Sequence, residues 1–176
     1  VSLKKTNDGY ILKNIPVAQL KKYQGKSTRK TIKVKAENQL IEKSQIDLSK
    51  AVVDLDLKKM TAGKYTFALK NALGEELTFG IDNTTKELFV DRSKSGNTDF
   101  GNHFATAVSK APLNKVYSNV KMKLVIDKTS IEIFFNDGEK VLTEIFFPNE
   151  HFSELYLSTD TKGSTLNIRG HQLNIN

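Results

Sequence analysis

The chain has 176 residues, with 10 phenylalanines, no tryptophan, no cysteine, 38% hydrophobic residues and a formal net charge of +7. That length suits one domain with a real core, and the lack of cysteine excludes a disulfide framework and a thiolate zinc site. Its charge lies on lysines scattered over strand edges and turns, with only three arginines (Arg29, Arg92, Arg169), which reads as a solvated, edge-protecting surface rather than a nucleic-acid footprint.

The first 30 residues read as a connector from a preceding domain. Pro16 suits the first position of a short helical turn, and Val17, Leu20 and Tyr23 follow at helix-like spacing. From Thr31 strands take over. Residues 31–36 read as a strand, and 38–49 as either strand or loop. Residues 51–59 alternate Val53, Leu55 and Leu57 inward against Asp54 and Asp56 outward, the period of a half-buried strand. After a turn at Thr61-Ala62-Gly63, residues 64–70 pair with 75–82 across a turn from Asn71 to Gly74. Asn83-Thr84-Thr85 turns the chain again into 86–92.

Residues 93–118 are polar and long. A loop of that length in a compact domain usually covers something or serves function, with Phe100, Phe104 and Val108 expected to pin it to the body. Beyond it, Leu124 and Ile126 alternate with Val125 and Asp127, then Ile131, Ile133 and Phe135 with Glu132 and Phe134. Asn136-Asp137-Gly138 supplies residues that tolerate the positive φ of a tight hairpin. Val141, Thr143, Ile145 and Phe147 form the next alternating set, and two more strands flank a turn at Thr161-Lys162-Gly163. Strands every 8–12 residues with turn signals between them predict an all-β, two-sheet antiparallel β-sandwich, here with boundaries 31–176 and a jelly-roll arrangement.

Two segments carry a family resemblance. Asp91-Arg92-Ser93, with Ser95-Gly96, and the strand–turn set Asp127, Ser130, Glu132, Phe134, Asn136, Asp137 and Gly138 resemble the C-terminal β-sandwich of glycoside hydrolase family 32. Those enzymes are the β-fructosidases: invertases, levanases, inulinases and fructan hydrolases. Residues 9–23 resemble the piece that leaves their catalytic propeller. The resemblance implies a concanavalin- or LamG-like sandwich that follows a five-bladed propeller in the same chain, in a secreted or periplasmic bacterial parent. The family's catalytic segments, WMNDPNG-like, Arg-Asp-Pro and Glu-Cys, do not occur in this sequence, so the chain is not expected to cleave a glycosidic bond by itself.

Five residues are candidates for sugar contact. Asp91 and Arg92 could clamp the start of the long loop, or offer donors to sugar hydroxyls. Glu132 shares a strand face with Phe134 and Asn136. It either pairs with Arg92 inside the sandwich or joins a sugar-binding set. The resemblance extends to carbohydrate-binding family 66, which holds terminal fructose, and that implies Arg92, Glu132 and Asp127. Asn136 sits at the hairpin turn. Glu132 and Glu144 could form a catalytic carboxylate pair only if placement brought them together. A calcium site from Asp82, Asn83 and Asp91 is conceivable, but the spacing does not demand it, and no metal or cofactor is expected. His103, His151 and His171 read as surface or packing residues.

Two functions remain open. One is an accessory domain that stabilises the propeller, with homodimerisation as a further role. The other is a module that tethers the enzyme to fructan or terminal fructose and so raises local substrate concentration. Neither involves nucleic acid or membrane, since no apolar run approaches the ~20 residues of a span.

Overall fold

A computed structural model describes residues 1–6, 9–43 and 45–175. Asn7 and Asp8 of the expected connector, Ser44 of the 38–49 segment and Asn176 of the last strand lie outside the described residues. β1 (Ser2–Thr6) and β2 (Gly9–Lys13) form a separate hairpin, and a 3₁₀ turn, Ala18–Tyr23, follows Pro16 and Val17 as expected. The body is built from β3 (Gln24–Lys33), β4 (Gln39–Lys43), β5 (Ala51–Lys58), β6 (Lys64–Lys70), β7 (Glu76–Asp82), β8 (Glu87–Lys94) and β9 (Ser109–Pro112). It continues with β10 (Asn119–Asp127), β11 (Ser130–Phe135), β12 (Lys140–Ile145), β13 (Glu154–Thr159) and β14 (Thr165–Leu173).

These strands make two six-stranded antiparallel sheets that face each other. The first has the order β12-β11-β10-β5-β14-β3, and the second β4-β13-β6-β7-β8-β9. The predicted sandwich is therefore the fold. Val53, Leu55 and Leu57 of β5 meet Phe67, Leu69, Leu77 and Phe79 of β6 and β7 in one core. The Phe67 and Phe79 rings stack at 5.5 Å. Each such fully buried side chain contributes about 1.5–3 kcal/mol. Buried Tyr65 is satisfied at its hydroxyl, which accepts from Thr61 N (3.1 Å) and Thr161 Oγ1 (2.8 Å) and lies 3.0 Å from Ser164 Oγ.

Three expectations need correction. The sandwich begins at Gln24 rather than at residue 31, because Gln24–Lys33 pairs along β14 from Leu173↔Gln24 to Thr165↔Lys33. This edge strand is polar, so main-chain pairing holds it and no apolar alternation announces it. The stretch 93–118 is not one loop, since β8 runs to Lys94 and Ser109–Pro112 pairs with it. Phe100 and Phe104 do join the body through the Phe147 ring, at 4.9 and 5.8 Å, whereas Val108 is exposed.

The third correction concerns the phase of β12. Opposite residues of an antiparallel pair share a face. The register Ile133↔Leu142 and Ile131↔Glu144 turns Leu142 and Glu144 inward, and leaves Val141 and Thr143 opposite Phe134 and Glu132 on the outer face. Phe146 is buried while Ile145 and Phe147 are exposed. The segment Val141–Phe147 carries apolar residues in both phases, so only pairing selects one.

Candidate functional site

Arg92 and Glu144 meet where the two sheets come together. Arg92 follows core residues Leu88 and Val90 on the inward face of β8, at a bulge where the β7 register shifts. Bulges re-aim side chains, and this one carries the guanidinium across the gap. Its Nη1 lies 3.3 Å from Glu144 Oε2 of β12 and donates to the Ile145 carbonyl at 3.0 Å. The guanidinium carbon stands 4.1 Å from the centre of the Phe104 ring.

The rest of the segment is structural. Asp91 points to the other face and accepts from the Ser93 N–H at 2.9 Å. Ser95 donates to the Arg92 carbonyl at 2.7 Å. Gly96 has φ +115°, and a Cβ there would stand 2.2 Å from the Phe147 carbonyl oxygen. The expected Arg92–Glu132 ion pair is not formed, because Glu132 lies on the outer face of β11 and Glu144 takes the inner position.

Glu132 and Asp127 do come together. They line a shallow depression of about 390 Å³ with Ser130, Thr143 and Leu20 on the outer face of the first sheet. Asp127 already accepts from the Lys128 N–H at 2.7 Å. Asn136 stands apart at the hairpin turn. There Asn136, Asp137 and Gly138 have φ of 44°, 59° and 84°, as the turn residues imply. The Asn136 side chain accepts from Lys121 N at 3.1 Å, and its carbonyl accepts from Lys13 Nζ at 3.2 Å. The five candidates therefore occupy four separate places, with only Asp127 and Glu132 sharing one.

No calcium set assembles from Asp82, Asn83 and Asp91. Asp82 Oδ1 accepts from the N–H groups of Thr84 and Thr85. Asn83 is fully buried; its amide donates to the carbonyls of Thr61 (2.9 Å) and Tyr117 (2.8 Å), and its oxygen accepts from Tyr117 N (2.9 Å). Among the described residues no three His, Asp or Glu side chains are grouped to hold a metal.

One cleft was not foreseen. The segment from Ile15 to Gln24 passes over the outer face of β10, β5 and β14 and encloses about 500 Å³. Antiparallel register lines its floor with charge. One row sets Arg169, Asp54 and Lys123 on the floor, the next Asp56 and Lys121, and the two rows run on outside the cleft to Arg29 and to Asn167 and Thr31. Lys123 pairs with Asp54, and Asp56 with Lys58 at 3.3 Å. The sequence did place Asp54 and Asp56 outward. What it lacked was the pairing that sets Lys123 and Arg169 on either side of Asp54. Nearby on β14, burial holds the His171 imidazole below its ordinary range, with the charge of Arg169 acting the same way.

Comparison with known proteins adds the lineage. The profile of "Glycosyl hydrolases family 32 C terminal" matches residues 18–172. The chain is 31% identical over 160 residues to a levanase of Bacillus subtilis (strain 168), covering 89% of this chain and 24% of that protein. It is 30% identical over 120 residues to an extracellular exo-inulinase of Aspergillus niger, covering 66% of this chain and 22% of the relative. The crystal structure of exo-inulinase from Aspergillus awamori superposes with a TM-score of 0.79 at 25% identity, over 98% of this chain and 34% of that one. Sucrose-6-phosphate hydrolase from Lactobacillus gasseri shares the fold, with a TM-score of 0.71 at 23% identity over 98% of this chain and 32% of that one. The chain thus spans about a quarter of the levanase's length.

Proposed function

Because this chain belongs to the C-terminal domain family of glycosyl hydrolases family 32, we propose that it is the non-catalytic sandwich of a secreted enzyme that hydrolyses fructans or sucrose. It packs against a preceding catalytic propeller and stabilises it. The observation that carries this reading is the match of residues 18–172 to the family's C-terminal domain, about a quarter of a levanase's length, and the one carboxylate pair the sequence offered as catalytic agrees with it. A glycosidase needs two carboxyl groups facing one site about 5–10 Å apart. Glu132 and Glu144 project to opposite faces of one sheet, and Glu144 is committed to Arg92. The substrate class rests on relatives that are a levanase and exo-inulinases, and the secreted location on the word extracellular in the names of the latter.

The first residues support the partner. A two-stranded hairpin is marginal in water by itself. Among the described residues, Lys4 and Lys13 of β1–β2 reach Glu139 of the sandwich at 3.3 and 3.9 Å, and Asn14 N donates to the Gly138 carbonyl at 3.1 Å. Leu3, Tyr10 and Leu12 of the hairpin remain exposed. Further strands of a preceding domain would cover them, with residues 1–23 as the junction.

The test is direct. The 176-residue chain is incubated with sucrose, levan and inulin, and free fructose is measured. We expect none above the protein-free control. Release that scales with protein and survives repurification would overturn the accessory reading.

A further inference from the structure

We propose that the cleft beneath residues 15–24 is a binding subsite for a short neutral oligosaccharide. Its walls are built rather than incidental. The covering segment is anchored at one end by Asn14 N on the Gly138 carbonyl, and just past the other by Asn174 N on the Tyr23 carbonyl at 2.8 Å. Between these anchors the segment holds a space of about 500 Å³, within the size range of small-molecule pockets.

The chemistry of the lining selects the ligand. Pro16 and Val17 face the cleft from above, and Phe134 from the sheet. They offer apolar surface to the C–H face of a sugar ring. Across the floor, Arg169, Asp54 and Lys123 alternate in sign over three neighbouring strands. At about 4.8 Å between strands, this row spans about 10 Å, the length of two sugar rings. The Arg169 side chain makes no hydrogen bond or ion pair among the described residues, and the residue is exposed. Its guanidinium is a fixed fork of donors with no acceptor role, while Asp54 accepts only. A hydroxyl is both donor and acceptor, so adjacent hydroxyls satisfy both residues at once. The lining sets Lys21, Lys121, Lys123 and Arg169 against Asp54, Asp56 and Asp137, so the two signs nearly balance and neither an anion nor a cation meets a field of one sign. A neutral polyol is therefore the class that fits. That the polyol is a β-fructan rests on the family reading above.

The experiment is a titration of the 176-residue chain, by calorimetry and by backbone amide shifts. The probes are levanbiose and an inulin trisaccharide, with maltotriose and citrate alongside. We expect saturable binding of a fructo-oligosaccharide at millimolar concentration, with shifts centred on β14, β5 and β10. Arg169→Ala and Asp54→Asn should each weaken it by about tenfold or more without lowering the melting temperature. Lys94→Ala, an exposed position on the opposite sheet and remote from the cleft, should leave affinity unchanged. Silence with all the sugars, shifts confined to Phe100 and Phe147, affinity indifferent to both cleft variants, or a preference for citrate would each overturn the proposal. Those results would leave the accessory reading standing. Fructose release by the chain would sink that reading without touching the cleft.

Discussion

Glu144 of β12 and Arg92 of β8 form an ion pair that joins the two sheets of the sandwich, and their side chains are only 9% and 21% exposed. Breaking such a pair leaves one charge poorly solvated, which costs more than the pair's net worth. Arg92→Met strands the more buried Glu144 and should destabilise by about 2–4 kcal/mol. Glu144→Gln leaves Arg92 its bond to the Ile145 carbonyl and its Phe104 contact, and should cost less. The double variant Arg92→Met/Glu144→Leu should recover most of the loss. Urea denaturation of the three variants checks the order. Equal losses for the two single variants would refute the asymmetry.

Gly138 lies in left-handed backbone at φ +84°, and a Cβ there would stand 1.8 Å from the Asn14 carbonyl oxygen. Gly163 has a similar φ of +91° with nothing within 4 Å. Gly163→Ala should therefore show only the backbone penalty, about 1 kcal/mol. Gly138→Ala should in addition lift the segment around Asn14 off the hairpin. Hydrogen exchange and limited proteolysis report this as faster exchange and new cleavage in residues 9–17, with the β5 and β6 amides still protected.

Asn83 answers three main-chain groups from a fully buried position. Asn83→Asp would replace a donor with a charge facing the carbonyls of Thr61 and Tyr117. It should cost more than Asn83→Ala, which itself should lose about 3 kcal/mol from unsatisfied partners. If thermal melting ranked the two variants the other way, this amide would not be the link between the β7–β8 turn and Tyr117.

Stability should fall with acid in two steps. Burial, then the charge of Arg169, depresses the His171 pKa in the folded state, against a weaker opposing pull from Asp54. The unfolded chain then binds more protons, so this contribution is full above about pH 6.5 and is lost as pH falls through the lower folded value. At Glu75, burial pushes the carboxyl up, but hydrogen bonds from Asn149 and Asn71 outweigh it and hold the pKa below its ordinary value. That contribution is present above about pH 4.5 and disappears as pH drops further. Urea midpoints between about pH 7.5 and about pH 3 should show both slopes. His171→Gln should flatten the upper one and Glu75→Gln the lower. An unchanged upper slope in His171→Gln would assign it elsewhere.

Much of this molecule was readable from residue order. Alternation placed Val53, Leu55 and Leu57 in the core and Asp54 and Asp56 outside it, because side chains of a strand point to opposite faces in turn. Asn136-Asp137-Gly138 announced three consecutive residues of positive φ, since these types tolerate that backbone. The DRS-x-SG segment and the Asn-Asp-Gly strand pair carried the family.

Register and long-range pairing were decided only by the tertiary structure. In β12 both phases are apolar enough to be buried, and pairing with β11 put Glu144 inside against Arg92 while leaving Glu132 outside. From Gln24 to Thr31 β3 carries no apolar side chain, and only the main-chain groups of β14 make that stretch a strand. Arg169, Asp54 and Lys123 are distant in sequence, and they become neighbours because three strands align in one register. Local pattern states which face of a strand suits water. Which strand lies beside it depends on hydrogen bonds between segments far apart in the chain, and those leave no periodic mark in either segment.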